Sequence, residues 1–129
     1  VYTFKEVHQM ITSVSSEIDS EHNFTDVLKA AFPMGSMTGA PKLKAMELIE
    51  YFECFKRGIF SGAVGYITPE ADFDFNVVIR TILYNLASGY LSIGVGGAIT
   101  IKSQPIDEYY ECLIKVKPIF DILHFEIDD

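Results

Sequence analysis

Three consecutive stretches with the composition of β-strands restrict the folds open to this chain more than any other feature. They are residues 59–68, 73–86 and 90–100, each rich in β-branched and aromatic side chains. The connections between them are a few residues long, and short connections favour antiparallel pairing. Segments with the apolar spacing of helices lie on either side of this block. The sequence therefore predicts an α+β fold, in which antiparallel β-sheet layers pack against helices.

The segment before the block is predicted to contain a strand and a short helix. A loose alternation of apolar and polar residues over positions 7–18 favours a strand. The helix covers residues 26–31, and Thr25 with Asp26 supplies its N-terminal cap.

Two longer helices are expected on either side of the block. The first begins at Pro41, because proline is favoured in the first turn, and it ends near residues 57–58. The second covers residues 106–123, where Pro118 is expected to bend or split it.

The bulk composition excludes several classes of partner. The chain has 129 residues, of which 49% are hydrophobic, and this is enough for one domain with its own core. Its net charge of −8 argues against nucleic-acid binding, which needs clustered lysine and arginine. The apolar runs are too short to span a membrane. Cys54 and Cys112 have no metal-binding spacing, which favours reduced thiols in a cytoplasmic protein. Because the chain opens on Val1, we expect it to be part of a longer protein.

Glu108, Glu111 and Lys115 share one stripe of the last predicted helix, because positions i, i+3 and i+7 fall within an arc of about 60°. The neighbouring apolar stripe consists of Tyr109, Leu113 and Val116. The charged stripe is therefore expected to border the core. Two carboxylates one turn apart suit Mg²⁺, which takes one or two protein carboxylates and completes its shell with water and substrate oxygens. The alternative is a solvated helix face that carries an ion pair between residues 111 and 115.

Arg80 interrupts an apolar run, residues 75–84, that is typical of a strand covered on both faces. A guanidinium in such a strand needs a partner, because an unpaired buried charge is costly. One interpretation is a salt bridge to Asp72, Asp74 or a glutamate. The other is a bidentate clamp on a substrate carboxylate, for which arginine is the preferred residue. The spacing leaves both interpretations open.

Two glycine-containing segments are candidate anion-binding sites. Residues 94–98 read Gly-Val-Gly-Gly-Ala at the end of a strand, where small residues let a backbone approach a ligand. The alternative there is a β-bulge. Residues 35–42 form a turn that leads into a helix N-terminus, with hydroxyls at Ser36 and Thr38. The alternative is ordinary capping by Thr38.

These elements, in this order, resemble the chorismate-utilising enzymes, a family that includes anthranilate synthase component I, aminodeoxychorismate synthase component I, isochorismate synthase and salicylate synthase. The matching segments are Phe-Pro-Met-Gly-Ser-Met-Thr-Gly-Ala-Pro-Lys at 32–42, Arg-Gly-Ile-Phe-Ser-Gly-Ala-Val-Gly-Tyr at 57–66, Phe-Asp-Phe-Asn-Val-Val-Ile-Arg-Thr at 73–81, Gly-Gly-Ala-Ile-Thr at 96–100 and Ser-Gln-Pro-Ile-Asp-Glu-Tyr-Tyr-Glu at 103–111. The resemblance implies that residues 1–129 are the C-terminal portion of a chorismate-binding domain. The upstream half, with the principal catalytic residues, would then lie outside this chain, which alone is expected to be incomplete and inactive.

The resemblance also implies roles for individual residues. Glu111 matches the family's direct Mg²⁺ ligand, and Glu108 matches a companion carboxylate that acts largely through water. Arg80 matches the arginine that holds the carboxylate of the enolpyruvyl side chain. The backbone strip that touches the substrate consists of Gly96, Gly97 and Ala98. The residues near the ring carboxylate are Thr38 and Lys115.

Three departures from the family pattern bear on these roles. Phe60 stands where many relatives have a carboxylate-binding tyrosine, so Arg80 is expected to contribute more of the binding. Ala98 replaces a glycine, which narrows the closest approach of the backbone to the substrate. Gln9 replaces a histidine, and an acid–base role is not expected there because glutamine cannot exchange a proton near pH 7.

The residue sequences of these motifs are most similar to those of aminodeoxychorismate synthase component I. That resemblance implies Mg²⁺-dependent amination of chorismate to 4-amino-4-deoxychorismate for para-aminobenzoate and folate synthesis, with ammonia from a glutamine amidotransferase subunit. One alternative is anthranilate synthase component I, which aminates a different ring carbon and expels pyruvate. Two others are a non-catalytic module that binds a chorismate-like ligand and a purely structural domain.

Overall fold

The computed structural model of the chain describes residues 1–5 and 7–125. In chain order, its elements are β1 (Tyr2–Thr3), β2 (His8–Gln9), α1 (Phe24–Ala31), α2 (Lys42–Phe52), β3 (Ala63–Ile67), β4 (Phe73–Val77), β5 (Ile82–Asn85), β6 (Tyr90–Ile93) and α3 (Pro105–Leu123). The chain divides into two compact units, Val1–Phe32 and Pro33–Asp129. Helices combine with antiparallel strand pairs in both, which confirms the α+β class.

The first unit contains β1, β2 and α1. The strands pair antiparallel, with Tyr2 opposite Gln9. The predicted strand over residues 7–18 is wrong beyond β2, because the Ser- and Thr-rich stretch that follows has no partner strand: β1 is two residues long. Asn23, rather than Thr25, caps α1. Its side chain accepts the Thr25 and Asp26 backbone N–H groups, and the Asp26 carboxylate accepts the Asn23 N–H in return.

The second unit begins with the loop that leads into α2. Pro41 is the N-cap of this helix, and no side chain caps it. The alternative interpretation of Thr38 as the helix cap is therefore wrong, because its hydroxyl donates to the Met34 carbonyl at 3.0 Å. The helix itself is confirmed, but it ends at Phe52, before the predicted residues 57–58. The chain is extended from Glu53, with φ −73° and ψ 126°.

Two separate antiparallel hairpins, β3–β4 and β5–β6, follow α2. The predicted strand over residues 73–86 is divided, because its partner ends: β3 starts at Ala63, opposite Val77. The last hydrogen bonds of this ladder run from the Ser61 N–H to the Val78 carbonyl and from the Val78 N–H to the Gly62 carbonyl. Beyond them the chain leaves the strand conformation, and Arg80 has φ +51°.

The predicted last helix is confirmed as α3, which continues through Pro118 without splitting. Its inward face is anchored by Val116, which is buried, and Leu113 is half-buried. Tyr109 is exposed, so the predicted apolar stripe is correct at two of its three positions. In the part of the chain that the structure describes, the buried apolar side chains are Val78 and Val116. No helix within these ranges has both the length and the apolar character needed to cross a lipid bilayer.

Candidate functional site

The charged stripe of α3 lies against the glycine segment that precedes the helix. Lys115 Nζ donates to the Gly96 carbonyl at 2.9 Å and forms an ion pair with Glu111 Oε1 at 2.5 Å. The side chains of Lys115 and Glu111 are 33% and 52% exposed. The stripe therefore opens to solvent on the Glu111 side and is anchored to the backbone on the Lys115 side.

Glu108 lies deeper in the same stripe. Its Oε2 atom is buried, and no hydrogen bond reaches it from the residues that the structure describes. A Cβ built on Gly97 would lie 2.9 Å from this oxygen and 3.9 Å from Glu111 Oε1. The Glu108 carboxylate therefore depends on the lack of a side chain at Gly97 for its space, whereas Glu111 Oε1 would be at ordinary contact distance. A carboxylate oxygen without a partner is costly to bury, and a cation would offset that cost.

Glu108 and Glu111 have the chemistry of magnesium ligands, but they are only two. Many proteins bind Mg²⁺ through one or two carboxylate oxygens, and water and ligand oxygens complete the coordination shell. Across residues 1–5 and 7–125, no group of three or more acidic, histidine or cysteine side chains is placed to hold a metal. Glu108 and Glu111 could therefore hold Mg²⁺, with the rest of its shell coming from water or a ligand.

Local sequence explains how α3 meets the glycine segment. Pro105 occupies the first turn of the helix, and acidic residues of that turn, Glu108 among them, favour its positive end. A tight turn precedes it, in which the Ser103 N–H donates to the Thr100 carbonyl at 3.0 Å and the Thr100 N–H donates to Ser103 Oγ at 2.9 Å. This turn returns the chain so that the first two turns of α3 face residues 96–97.

Phe60 lies at the other end of the glycine segment. A Cβ on Gly94 would overlap the Phe60 ring, so the ring rests directly on the Gly94 backbone. Phe60 is half-buried, whereas Ala98 is exposed. The backbone strip is thus bounded by an aromatic ring on one side and by the charged stripe on the other.

Arg80 is exposed, and the prediction that it lies in a covered strand is wrong because pairing stops at Val78. Among the described residues it has neither a hydrogen-bond nor an ion-pair partner, so the first interpretation, a salt bridge to Asp72, Asp74 or a glutamate, is not formed there. The guanidinium is free to bind an anion. No hydrogen bond or ion pair links Arg80 or Thr38 to the charged stripe within the same ranges.

Sequence reasoning missed an ion pair beside this region. Arg57 binds Glu53 through two parallel hydrogen bonds, Nε to Oε2 at 2.8 Å and Nη2 to Oε1 at 2.5 Å. These bonds hold the pKa of the Glu53 carboxyl below its ordinary value and raise the pKa of Arg57. The four-residue spacing of Glu53 and Arg57 could have indicated an ion pair. In the predicted helix, however, which continued to residues 57–58, such a pair would have been assigned to a solvent-exposed face. A shallow cavity of about 200 Å³ adjoins the pair and contains none of the predicted site residues.

Comparisons of the sequence with a family model and with individual known proteins all lead to chorismate enzymes. Residues 1–121 match the family model described as chorismate binding enzyme. The chain is 46% identical over 117 residues to a protein of Oryza sativa subsp. japonica named probable aminodeoxychorismate synthase, chloroplastic, covering 91% of this chain and 13% of that protein. It is 40% identical over 123 residues to aminodeoxychorismate synthase of Streptomyces griseus, covering 95% and 17%. It is 36% identical over 116 residues to anthranilate synthase component 1 of Acinetobacter calcoaceticus, covering 90% and 23%.

The chain thus spans less than a quarter of the length of each of these three relatives. The family match, by contrast, extends over nearly all of the chain and includes every residue of the candidate site. The chain belongs to the family of chorismate binding enzymes.

Proposed function

We propose that this chain supplies the C-terminal portion of the chorismate-binding site of an aminodeoxychorismate synthase component I. The observation that carries the proposal is the meeting of two carboxylates and Lys115 with the backbone at Gly96 and Gly97. Two of the three relatives described above are named as aminodeoxychorismate synthases, and they are more similar to this chain than the relative named as an anthranilate synthase.

The acidic residues would hold a magnesium ion. Glu111 is the more exposed of the two, and Glu108 offers a buried oxygen that no described residue hydrogen-bonds. When bound, Mg²⁺ supplies positive charge beside the ring carboxylate of chorismate. Lys115 would place a second positive charge there, since its Nζ already lies 2.9 Å from the Gly96 carbonyl.

The remaining substrate contacts would come from around the glycine strip. Arg80 has no hydrogen-bond or ion-pair partner among residues 1–5 and 7–125, and its guanidinium would hold the carboxylate of the enolpyruvyl side chain through paired hydrogen bonds. Backbone N–H groups of Gly96, Gly97 and Ala98 would line the bound ring. Thr38 would lie near the ring carboxylate, and Phe60 would border the strip as a ring without a hydrogen-bonding hydroxyl.

In the proposed reaction, ammonia adds at the ring carbon that bears the hydroxyl, and that hydroxyl leaves as water to give 4-amino-4-deoxychorismate. We infer that a glutamine amidotransferase subunit releases the ammonia, that the protein acts in the cytoplasm, and that its product serves para-aminobenzoate and folate synthesis. Gln9 would take no part in proton transfer, since its side chain does not titrate near pH 7. This chain would orient the substrate and neutralise its charge.

Anthranilate synthesis is the second candidate, favoured by the 36% identity to a relative of that name. It would use the same carboxylate contacts but place the amine on the ring carbon next to the one that bears the ring carboxylate, and expel pyruvate.

Product identification tests the proposal. The intact protein is incubated with chorismate, Mg²⁺ and ammonium, and the products are separated by chromatography and mass spectrometry. We expect 4-amino-4-deoxychorismate, and an E111Q variant under the same conditions should form very little of it. Anthranilate with pyruvate would establish the second candidate, and isochorismate would contradict both. Unchanged chorismate would indicate a binding module rather than an enzyme.

A further inference from the structure

Arg57 joins three separate segments of the second unit through one side chain. Its Nε and Nη2 bind both oxygens of Glu53, just after α2. Its Nη1 donates to the Met37 carbonyl at 2.7 Å and to Ser61 Oγ at 3.0 Å. The Arg57 side chain is 23% exposed, and that of Glu53 is 28% exposed. Four hydrogen bonds to a largely covered guanidinium make this a well-defined junction.

Two of the joined segments carry predicted substrate contacts. Met37 immediately precedes Thr38, whose N–H and hydroxyl both donate to the Met34 carbonyl, at 3.1 and 3.0 Å. Ser61 immediately follows Phe60, whose N–H donates to the Arg57 carbonyl at 3.1 Å. The guanidinium therefore lies between the loop that presents Thr38 and the turn that presents Phe60.

The turn needs such support. Ser61 has φ +62°, a conformation that residues with a Cβ seldom adopt unless the surroundings hold them in it. The Ser61 N–H is held by the Val78 carbonyl at 2.9 Å, and its hydroxyl is held by Arg57. Through Val78, the same turn also fixes the point where the chain departs toward Arg80.

A lysine at this position would lack the required geometry. The planar guanidinium directs two N–H groups at one carboxylate and two more at acceptors on different segments, whereas an ammonium donates from a single nitrogen. Glu53 orients the plane, and its hydrogen bonds to Arg57 hold the pKa of the Glu53 carboxyl below its ordinary value. The neighbouring pair, Lys56 with Glu50, is a useful contrast, because both side chains are strongly exposed.

We infer that Arg57 is a positioning residue that sets the spacing between the Thr38 loop and the Phe60 turn, with Glu53 orienting its guanidinium. The inference rests on the proposed function, since it gives Thr38 and Phe60 their role at the substrate. Arg57 itself does not touch the substrate. It acts through the Met37 carbonyl and the Ser61 hydroxyl.

The first test is hydrogen exchange in the intact protein without ligand, comparing wild type, R57Q and the control K56Q. In R57Q we expect the Met37, Thr38 and Ser61 amides to exchange about tenfold faster, because hydrogen bonds to a charged group are lost beside them. Amides of α3 should be unaffected, and K56Q should match the wild type. If R57Q fails to fold, E53Q takes its place, with the same direction expected. Wild-type exchange at Thr38 in the folded variant would overturn the inference.

The second test is a double-mutant cycle on chorismate affinity. R57Q and T38V should each weaken binding, R57Q by about tenfold, and the double variant should be little weaker than the worse single variant, because both changes disable one contact. Additive losses would show that Arg57 acts only through general stability and would overturn the inference. Equal affinity in wild type and R57Q would do the same. A wild-type protein that binds no chorismate would instead overturn the proposed function.

Discussion

Gly97 lies close enough to α3 that even a methyl group would disturb the Glu108 carboxylate opposite it. The atom that a Cβ would meet is Oε2, at the flexible end of the Glu108 side chain, and no backbone atom is in the way. A substitution there should move the carboxylate and leave the fold intact. A Cβ on the neighbouring Gly96 would meet no atom within 4 Å. The two glycines therefore differ in the space available for a side chain although they are adjacent in sequence.

The pair G97A and G96A provides a prediction at this scale. We expect G97A to weaken Mn²⁺ binding, measured by electron paramagnetic resonance in the intact protein, by roughly tenfold or more, as is usual when the surroundings of a metal ligand are altered. G96A should bind Mn²⁺ like the wild type. Equal affinities in the two variants would contradict the placement of the metal between Glu108 and Glu111.

At the scale of elements, local patterns predicted more than long-range ones did. The stripe on α3 was predictable because residues 108, 111 and 115 are related by helix geometry within one element. The exposure of Arg80 was not, because it depends on where β3 begins, a dozen and more residues earlier, and thus on where strand pairing ends. The contact between Arg57 and Met37 could not be predicted for the same reason, because the two residues are twenty positions apart along the chain.

The junction after α2 gives a pH-dependent prediction. The pKa of Glu53 in the folded protein is below its ordinary value of 4.5, mainly because of its hydrogen bonds to Arg57. Its contribution to stability is therefore fully present above that value and is lost as the pH falls through the folded pKa. We expect E53Q to unfold about 1–2 kcal/mol more easily than wild type at pH 7, measured by urea denaturation. The difference should shrink below about pH 4.5.

The control for that measurement is E47Q, which removes an exposed ion pair with Lys44. Exposed pairs contribute little, so its stability should follow the wild type across the whole pH range. A constant difference between wild type and E53Q from pH 7 to pH 3 would show that the charge of Glu53 does not stabilise the junction.

At the scale of the whole molecule, charge is the main constraint on the proposed substrate. The chain has a net charge of −8, and chorismate carries two carboxylates, so long-range electrostatics oppose binding. Binding must then depend on local positive charge. The candidates are Arg80, which has no partner among the described residues, Lys115, which is paired with Glu111, and the cation that the two glutamates would hold.

The most direct test of this account is calorimetric titration of chorismate into the intact protein, with Mg²⁺ present or with the divalent cation removed by EDTA. We expect measurable binding with Mg²⁺ and a loss of at least about tenfold in affinity with EDTA, because the two carboxylates would then repel the substrate. R80A should weaken binding to a similar degree in the presence of Mg²⁺ while its unfolding midpoint stays unchanged, since the side chain is exposed. Equal affinity in Mg²⁺ and in EDTA would contradict the account.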